Sequence, residues 1–367
     1  MKFIVGTRSS KLAIAQTNIF LNLPKKDFYP ESVRKFENVD FEIKKFVTQG
    51  DKYSEEGKVR FDKINFVSDI EKALLEKKID IAVHSAKDMP AKLDPRFKVE
   101  YFAENYRYKG NKYNYSPWDL YIFRDEIDIS KIGKKTPDMA FGVPVNLSGL
   151  RVGTSSLRRK MQAKLFYKAD NILDIRGNVD TRMQKLSDNQ FDCIILSEQG
   201  LRRLGIFRDD LNCLVSYKLP AMGQGIVCLQ YRENDEETDE LIQYFLTGAP
   251  LSYRLKSEMV EAQQFVSALG ADCNSAIAID VRDDLGMGDG CEETGFSTST
   301  GISLWAEIYG KDSFIRVASH DENDRILKKK YATMKDYPHA GEPEVITNIL
   351  IEEAIEKGAL DLLNEHN

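Results

Sequence analysis

Residues 3–10 read FIVGTRSS, and a similar pattern returns as RVGTSS at residues 151–156. In both places a β-branched run leads through Gly-Thr and serines into helical spacing of apolar residues. We interpret residues 3–5 as a strand, Gly6 and Thr7 as a turn, and residues 11–21 as a helix. Similar alternation over the first two-thirds of the chain predicts α/β layers with largely parallel sheets. The repeat predicts two similar domains around a cleft, where ligands commonly bind.

The length and charge of the chain limit the classes of protein that it can represent. Its 367 residues are more than one hydrophobic core usually serves, which predicts two or three domains. The net charge of −6 disfavours a protein that binds the nucleic-acid backbone. No apolar run reaches the roughly 20 residues that span a membrane. Five scattered cysteines without zinc-ligand spacing favour a reducing compartment.

Arginines stand at several predicted strand-to-helix corners, where helix N-termini offer unpaired N–H groups. They are Arg8, Arg158, Arg159, Arg176, Arg182, Arg202 and Arg203. A guanidinium binds a carboxylate through two parallel hydrogen bonds, so these corners predict a cleft for a ligand with several carboxylates or phosphates. The competing interpretation is that the arginines are solvated or form ordinary ion pairs. The sequence contains neither GxGxxG nor GxxxxGK[ST], which disfavours a nucleotide ligand.

Lys87 and Asp88 follow an apolar run at residues 79–83 and precede Pro90, which ends the strand. Catalytic groups of open α/β sheets gather at this end of the strands, so Asp88 is the best acid–base candidate. The alternative is that Asp88 caps the following turn. His84, inside the same strand, has no metal-ligand spacing and is interpreted as a packed histidine.

Cys273 lies in a loop between a helical stretch and the strand-like residues 276–279. Facing a basic cleft, such a thiol is a candidate nucleophile or attachment point. A lone cysteine is more often inert, and that interpretation also stays open.

The motifs together closely resemble the porphobilinogen deaminase family. The matching stretches, in the family's order, are GTRSS at 6–10 with Leu12, Ala13 and Gln16, DIAVHSAKDMP at 80–90, VGTSSLRR at 152–159, RGNV at 176–179, Thr181 with Arg182, GL at 200–201 with RLG at 203–205, and LPAMGQG at 219–225. They cover nearly the whole chain apart from insertions at 105–116 and 283–300.

The resemblance implies two periplasmic-binding-protein-like (type II) α/β domains around a cleft, and a small α+β C-terminal domain. We expect residues 1–104 with 222–244 in the first domain, 118–218 in the second and 248–367 in the third. The implied activity is that of a transferase that joins four porphobilinogen molecules head to tail, releasing ammonia, to give hydroxymethylbilane for haem and other tetrapyrroles. The implied primer is a dipyrromethane cofactor held by a thioether to Cys273.

The resemblance also implies roles for individual residues. Asp88 and Lys87 would be catalytic, with Asp88 stabilising the positive charge that develops as ammonia leaves. Implied cofactor-binding residues are Cys273, Arg158, Arg159, Lys87, Ser85, Asp88, Thr154, Ser155, Ser156, Arg203 and Gly225. Implied substrate-binding residues are Arg8, Ser10, Lys63, Phe66, Arg176 and Arg182. No metal is implied.

The chain departs from the family pattern at three places. Ala271 and Asp272 replace the glycines before Cys273, the loop around Lys63 and Phe66 lacks its glycines, and Gln199 replaces an alanine. A non-catalytic two-lobed protein that binds a polycarboxylate is the alternative function. We expect a monomer without nucleic-acid or membrane partners. The first residues contain no signal pattern, so we expect a cytoplasmic protein, or a plastid protein if a transit peptide has been removed.

Overall fold

The structure is a computed structural model that describes residues 1–23, 36, 38–48, 64–104, 106–108, 111–113, 115–132, 145–216, 218–247, 252–271, 275–283, 302–319 and 343–366. Within these ranges no helix has the length and apolar character needed to cross a membrane. Two mixed five-stranded sheets, each covered by helices, and a smaller antiparallel sheet confirm the predicted α/β class.

The principal elements follow one another along the chain in this order: β1 (Lys2–Arg8), α1 (Lys11–Leu21), β2 (Asp40–Phe46), α2 (Ile64–Leu75), β3 (Ile81–Ser85), β4 (Phe97–Phe102), β5 (Tyr106–Tyr108), β6 (Asn111–Tyr113), β7 (Asp119–Phe123), β8 (Arg151–Gly153), α3 (Leu157–Tyr167), β9 (Asn171–Leu173), α4 (Val179–Ser187), β10 (Cys193–Ser197), α5 (Glu198–Arg203), β11 (Cys213–Ser216), β12 (Val227–Arg232), α6 (Glu236–Leu246), α7 (Ser252–Ala268), β13 (Ile277–Asp283), β14 (Ile302–Tyr309), β15 (Phe314–Ala318), α8 (Pro343–Glu356) and α9 (Ala359–Asn364).

The first sheet has the strand order β2-β1-β3-β12-β4 and helices on both faces. Because side chains alternate along a strand, Phe3 and Val5 of β1 pack with α1 and α6 on one face. Ile4 points to the other face, where it packs against the buried side chains of α2. Ile70, Ala73 and Leu74 stand at helical spacing in the sequence, which predicts one buried face of a helix, and the burial of all three confirms it.

The second sheet has the strand order β11-β7-β10-β8-β9 and repeats the layered plan. Ile194 and Leu196 of β10 pack with α4 and α5 on one face. Cys193 and Ile195 pack with α3 on the other. The burial of both faces explains why β10 is apolar along most of its length.

The expectation of largely parallel sheets needs a correction, because each five-stranded sheet contains one antiparallel strand. β1 is parallel to β2 and β3, whereas β12 is antiparallel to β3 and β4. In the second sheet β7 is antiparallel to β10 and β11. Both exceptions have the same cause: β7 and β12 are the strands that the chain enters directly after crossing from the other sheet. Each crossover begins and ends at the carboxyl edge of a sheet, so the next strand must run in the opposite direction.

The turn predicted at Gly6 and Thr7 is wrong. Both residues belong to β1, where they pair with β2 on one side and β3 on the other. A strand with partners on both sides extends further than its local sequence indicates, because the ladder satisfies the backbone groups. The stretch 105–116, interpreted as a crossover or insertion, contains the β5–β6 hairpin between the first and second sheets. Most of the predicted insertion at 283–300 lies outside the described residues.

The third sheet has the strand order β13-β14-β15 and is antiparallel throughout. Helix α7 packs between this sheet and the first sheet, and α8 packs on α7. Phe265 of α7, Leu304 of β14 and Leu350 of α8 share one core with Tyr101 of β4. The third sheet is therefore anchored to the first by continuous apolar packing.

Gly223, in the return crossover before β12, should tolerate no side chain. Its φ is +67°, and a Cβ would lie 2.9 Å from the Ala86 Cβ and 3.1 Å from the Lys87 backbone nitrogen. We expect Gly223→Ala to lower the free energy of unfolding by about 2–4 kcal/mol, from the left-handed backbone and the clash together. Urea denaturation measures the loss.

Gly149 supplies the matched control, since its φ is +79° but nothing lies within 4 Å of the added Cβ. Gly149→Ala should lose only the backbone contribution of about 1–2 kcal/mol. Equal losses at the two positions would show that the contact with Ala86 and Lys87 is not tight.

Candidate functional site

The two helix-covered sheets face each other, and α1 of the first meets α4 and α5 of the second. Lys11 Nζ lies 2.7 Å from Asp180 Oδ2 in an exposed ion pair between α1 and α4. Gly200 of α5 approaches the Leu12 side chain closely enough that a Cβ would lie 3.7 Å from it. The loops at the carboxyl edges of the parallel strands therefore share one cleft.

On the first sheet, the cleft contains the predicted acid–base residue. Asp88 ends a single turn of 3-10 helix, Ala86–Asp88, directly after β3. Arg8 ends β1, and its Nη1 lies 3.7 Å from Asp88 Oδ2, with both side chains partly exposed. The parallel pairing of β1 and β3 places these two residues together. Asp88 is thus a solvent-accessible carboxylate beside a guanidinium.

The predicted hydroxyl residues all lie at the ends of strands and helices. Ser10 caps α1 by accepting from the Ala13 N–H at 3.3 Å, and Ser156 caps α3. The Gln16 amide donates to the Ser85 hydroxyl at 2.8 Å. Ser155 Oγ donates to the Ile175 carbonyl at 2.7 Å. Thr154 is buried and accepts from the Ser156 N–H at 3.3 Å. Their cofactor and substrate roles stay predictions.

Arg158 and Arg159 share one buried carboxylate on the second sheet. Arg158 Nη2 donates to Asp119 Oδ2 at 2.8 Å, and Arg159 donates to Oδ1 through Nη2 at 2.7 Å and Nε at 3.1 Å. The Gln224 amide adds a donor to Oδ1 at 2.9 Å. Burial alone would raise the pKa of Asp119, but the two guanidiniums hold it well below its usual range. One carboxylate cannot neutralise two guanidiniums, so the cluster keeps a net positive charge.

Further cations increase this positive charge. Burial, together with the nearby Arg159, lowers the pKa of Lys87 to about 8. Burial, followed by the charges of Arg159 and Arg176, lowers the pKa of Arg182 to about 10. A pKa lowered by neighbouring cations marks a region of positive potential. Such a region attracts an anion with several negative groups.

Arg203 is already paired within the protein. Its Nε and Nη2 donate to the Glu104 carboxylate at 2.7 and 2.8 Å, and Nη2 also donates to the Gly225 carbonyl at 2.6 Å. Glu104 follows β4 and Gly225 precedes β12, so this bidentate pair joins the two crossovers to α5. The predicted cofactor contacts of Arg203 and Gly225 stay predictions. Both residues lie where the two crossovers meet α5, and we call this region the hinge between the sheets.

Gln199, a departure from the family pattern, belongs to the same hinge. Its Nε2 donates to Glu104 at 2.7 Å and its Oε1 accepts from the Ser116 N–H at 3.0 Å. The side chain is almost fully buried. The larger residue therefore ties both ends of the first crossover, the segment between β4 and β7, to α5.

Three predicted site residues cannot be placed fully. Lys63 and Cys273 lie outside the described residues, and Phe66 belongs to α2 but its side chain is outside the described part. Among the described residues, no group of His, Cys, Asp and Glu side chains could hold a metal ion.

Four residues that bind the arginines or Asp119 are not identified by the sequence alone: Asp119, Gln224, Glu104 and Gln162. Asp119 offered a weak signal, since it is an acidic residue at the start of the apolar run LYIF at residues 120–123. Gln162 follows Arg158 at one helical turn, and its Oε1 accepts from Arg158 Nη1 at 2.9 Å. Apart from the Arg158–Gln162 pair within α3, the partners of these residues are distant in sequence, so only the folded chain identifies them.

Comparison with known proteins places the chain among enzymes of one name. The protein-family model described as "Porphobilinogen deaminase, dipyromethane cofactor binding domain" matches residues 3–240. A porphobilinogen deaminase of Brevibacillus brevis is 36% identical over 282 residues, which are 75% of this chain and 78% of the relative. One of Listeria innocua is 30% identical over 374 residues, covering 99% of this chain and 98% of the relative.

Solved structures show only distant likeness. The probable amino-acid ABC transporter extracellular-binding protein ytmK of Bacillus subtilis is 12% identical, with a TM-score of 0.37 over 72% of this chain and 96% of that one. The OxyR2 regulatory domain of Vibrio vulnificus is 11% identical, with a TM-score of 0.38 over 68% and 96%. At these scores the likeness adds nothing to what the strand order shows.

The buried carboxylate of Asp119 should be essential to stability. Asp119→Asn removes the charge that holds two buried guanidiniums together, and we expect a loss of about 3–5 kcal/mol in the free energy of unfolding. Asp192→Asn is the matched control, because Asp192 also binds two arginines, Arg124 and Arg151, whose side chains are partly exposed to water. Its loss should be clearly smaller. Denaturant titration of both variants compares them, and a loss at Asp119 no larger than at Asp192 would contradict the prediction.

Proposed function

This chain belongs to the porphobilinogen deaminase family. We propose that its cation-rich cleft binds the carboxylates of a growing pyrrole chain, and that the primer of this pyrrole chain is attached to Cys273. Enzymes of this family are transferases that join four porphobilinogen molecules with release of ammonia, in the biosynthesis of haem and other tetrapyrroles. Their cofactor is dipyrromethane. We assign the binding, charge-stabilising and attachment roles in this reaction to individual residues of the chain.

The cluster around Asp119 carries the proposal. Each pyrrole added to the chain brings two carboxylates, so the cleft needs more cations than the protein itself neutralises. Arg158, Arg159 and Lys87 surround a single buried carboxylate. Arg158 Nε is buried and has no hydrogen-bond partner among the described residues. An unpaired buried donor within a positive cluster fits a carboxylate-bearing group such as dipyrromethane.

Dipyrromethane, when bound, supplies the primer onto which the porphobilinogen units are joined. Lys87, Arg158 and Arg159 would hold its carboxylates and those of the porphobilinogen units being joined to it, with Ser85, Thr154, Ser155 and Ser156 nearby. Arg8, Ser10, Arg176 and Arg182 would bind the incoming substrate, with Lys63 and Phe66 beyond the described part. Bidentate guanidinium contacts fix the orientation of each carboxylate as well as its position.

Asp88 has the position that the charge chemistry requires. It is a partly exposed carboxylate at the carboxyl end of β3, beside Arg8 and close to Lys87. A carboxylate there accepts hydrogen bonds from pyrrole N–H groups and stabilises the positive charge that develops as the aminomethyl group loses ammonia. As an accessible acceptor in a cleft rich in cations, Asp88 would determine where that charge forms.

Attachment through Cys273 is supported by the residues that follow it. Ala276, three positions later, is buried against Leu157 and Met161 of α3. Helix α3 begins at Leu157 and carries Arg158 and Arg159. The described residues that follow Cys273 in the sequence thus begin beside the helix that carries Arg158 and Arg159.

We also propose the domain division 1–104 with 222–244, 118–218 and 248–367. β12 returns to the first sheet, in agreement with joining 222–244 to the N-terminal residues. The non-catalytic binding protein gains no support from the relatives, which are named as deaminases. A monomer in the cytoplasm, without nucleic-acid or membrane partners, completes the proposal.

Intact mass spectrometry tests the attachment. The purified chain should be heavier than its sequence by two pyrrole units, whereas Cys273→Ser should have the sequence mass and no turnover. Cys213→Ala, at a buried cysteine of β11, is the control and should keep both the added mass and activity. Added mass that survives in Cys273→Ser would rule out this anchor. Loss of mass in both variants would indicate a folding defect, which circular dichroism detects.

The pH dependence of substrate binding tests the role of Lys87. Since the pKa of Lys87 is lowered to about 8, its ammonium is charged below that pH and loses its proton above it. The KM for porphobilinogen should therefore rise between about pH 7.5 and about pH 9 in the unchanged enzyme. Lys87→Arg keeps its charge over this range and should remove that rise. Lys92→Arg, at an exposed lysine, is the control. A rise in KM that persists in Lys87→Arg would assign it to another group.

A further inference from the structure

A chain of hydrogen bonds links the third sheet to the arginine cluster. Arg316 of β15 binds Glu307 of β14, whose carboxylate accepts from the Tyr309 hydroxyl. The Tyr309 hydroxyl in turn accepts from Gln162 Nε2 at 2.9 Å. Gln162 Oε1 accepts from Arg158 Nη1 at 2.9 Å. The chain crosses from the third sheet into α3 and ends on a guanidinium of the cleft.

The order of donors and acceptors determines how Gln162 is oriented. Tyr309 has one hydroxyl proton, and it donates this proton in the hydrogen bond to Glu307. The hydroxyl oxygen can therefore only accept from Gln162. The second Nε2 hydrogen of Gln162 goes to the Leu219 carbonyl at 2.9 Å. With both N–H groups held, the amide oxygen must face Arg158. The opposite orientation would place an NH2 group against a guanidinium, which also only donates.

The buried position of Tyr309 keeps this order fixed. Its side chain is fully buried and packs with Ala276 and Ala278 against Phe166 of α3. Burial, and then the Glu307 charge, raise the pKa of Tyr309 well above its usual value. The phenol therefore stays protonated at neutral pH, where it donates to the Glu307 carboxylate.

We propose that Tyr309 is a positioning residue that acts through Gln162 to fix the Arg158 guanidinium for carboxylate binding. The inference rests on the proposed function, since it assumes that Arg158 binds a carboxylate of the pyrrole chain. It gives the third sheet a task beyond packing against its neighbouring helices. That task is to orient one of the cations that receive the primer.

Docking of the third sheet does not need this chain of hydrogen bonds. Phe166 packs on Phe314 with ring centroids 5.0 Å apart. Lys164 of α3 binds Asp312 at 2.7 Å and the Lys311 carbonyl at 2.8 Å. These contacts join the same surfaces without touching Arg158. A purely structural contact would therefore be replaceable, whereas a positioning contact would change binding in the cleft.

Steady-state kinetics of four variants test the proposal. Tyr309→Phe should raise the KM for porphobilinogen about fivefold with kcat changed less than about twofold, as expected when one hydrogen bond that supports binding is lost. Gln162→Met should have the same effect. The double variant should be no worse than either single variant, because both act along one path. Lys164→Met, which cuts the docking contact alone, should behave as the unchanged enzyme.

Primer loading supplies a readout that does not depend on turnover. Apoprotein of each variant is incubated with porphobilinogen, and intact mass gives the fraction that carries the primer after a fixed time. Tyr309→Phe and Gln162→Met should load more slowly than Lys164→Met. If Tyr309→Phe fails to fold, the comparison of the loading rates of Gln162→Met and Lys164→Met still tests the proposal.

Several results would overturn the proposal. Additive effects in the double variant, a KM unchanged in both single variants, or the same defect in Lys164→Met would each leave Tyr309 as a packing residue. Absence of turnover in the unchanged enzyme and in Lys164→Met would instead reject the proposed function.

Discussion

A carboxylate buried between two guanidiniums is stable only while all three groups stay in place, and Asp119 holds this position between Arg158 and Arg159. It begins β7, whereas the arginines lie in the first turn of α3, so the ion pairs join an interior strand of the second sheet to the helix that packs on it. They also place two positive groups at the cleft with half of their charge uncompensated. The attachment of α3 to the second sheet and the proposed binding of carboxylates beside it thus depend on one carboxylate.

The path of the chain explains how the two halves of the cleft are connected. It crosses between the sheets twice, and each crossover delivers an antiparallel strand to the sheet that it enters. Glu104 belongs to one crossover and Gly225 to the other, and Arg203 binds both. Gln199 adds a further link in place of the family's alanine. A hinge held by a bidentate ion pair resists separation of the sheets while leaving the cleft edges exposed.

The third sheet is attached to each of the other two sheets by a different kind of contact. Apolar packing of α7 joins it to the first sheet, and the path through Tyr309 and Gln162 joins it to the arginine cluster of the second. Apolar contacts set distance without fixing the orientation of a polar group, whereas hydrogen bonds have direction. Apolar packing therefore attaches the third sheet to the first, whereas the hydrogen bonds at Gln162 have the directionality to orient the Arg158 guanidinium.

The amino-acid sequence by itself determined the α/β class, helix α1, the burial of one face of α2, and the family, because these depend on local periodicity and on ordered motifs. It also singled out Asp88 and the arginines, since charged residues at strand ends are visible as a pattern. The folded chain is needed to show that Gly6 and Thr7 extend a strand, that each five-stranded sheet contains an antiparallel strand, that Asp119 and Glu104 bind the arginines, and that Tyr309 orients Gln162. Asp119 lies 39 positions from Arg158, Glu104 lies 99 positions from Arg203 and Gln162 lies 147 positions from Tyr309. No local pattern records which distant residue will be the partner.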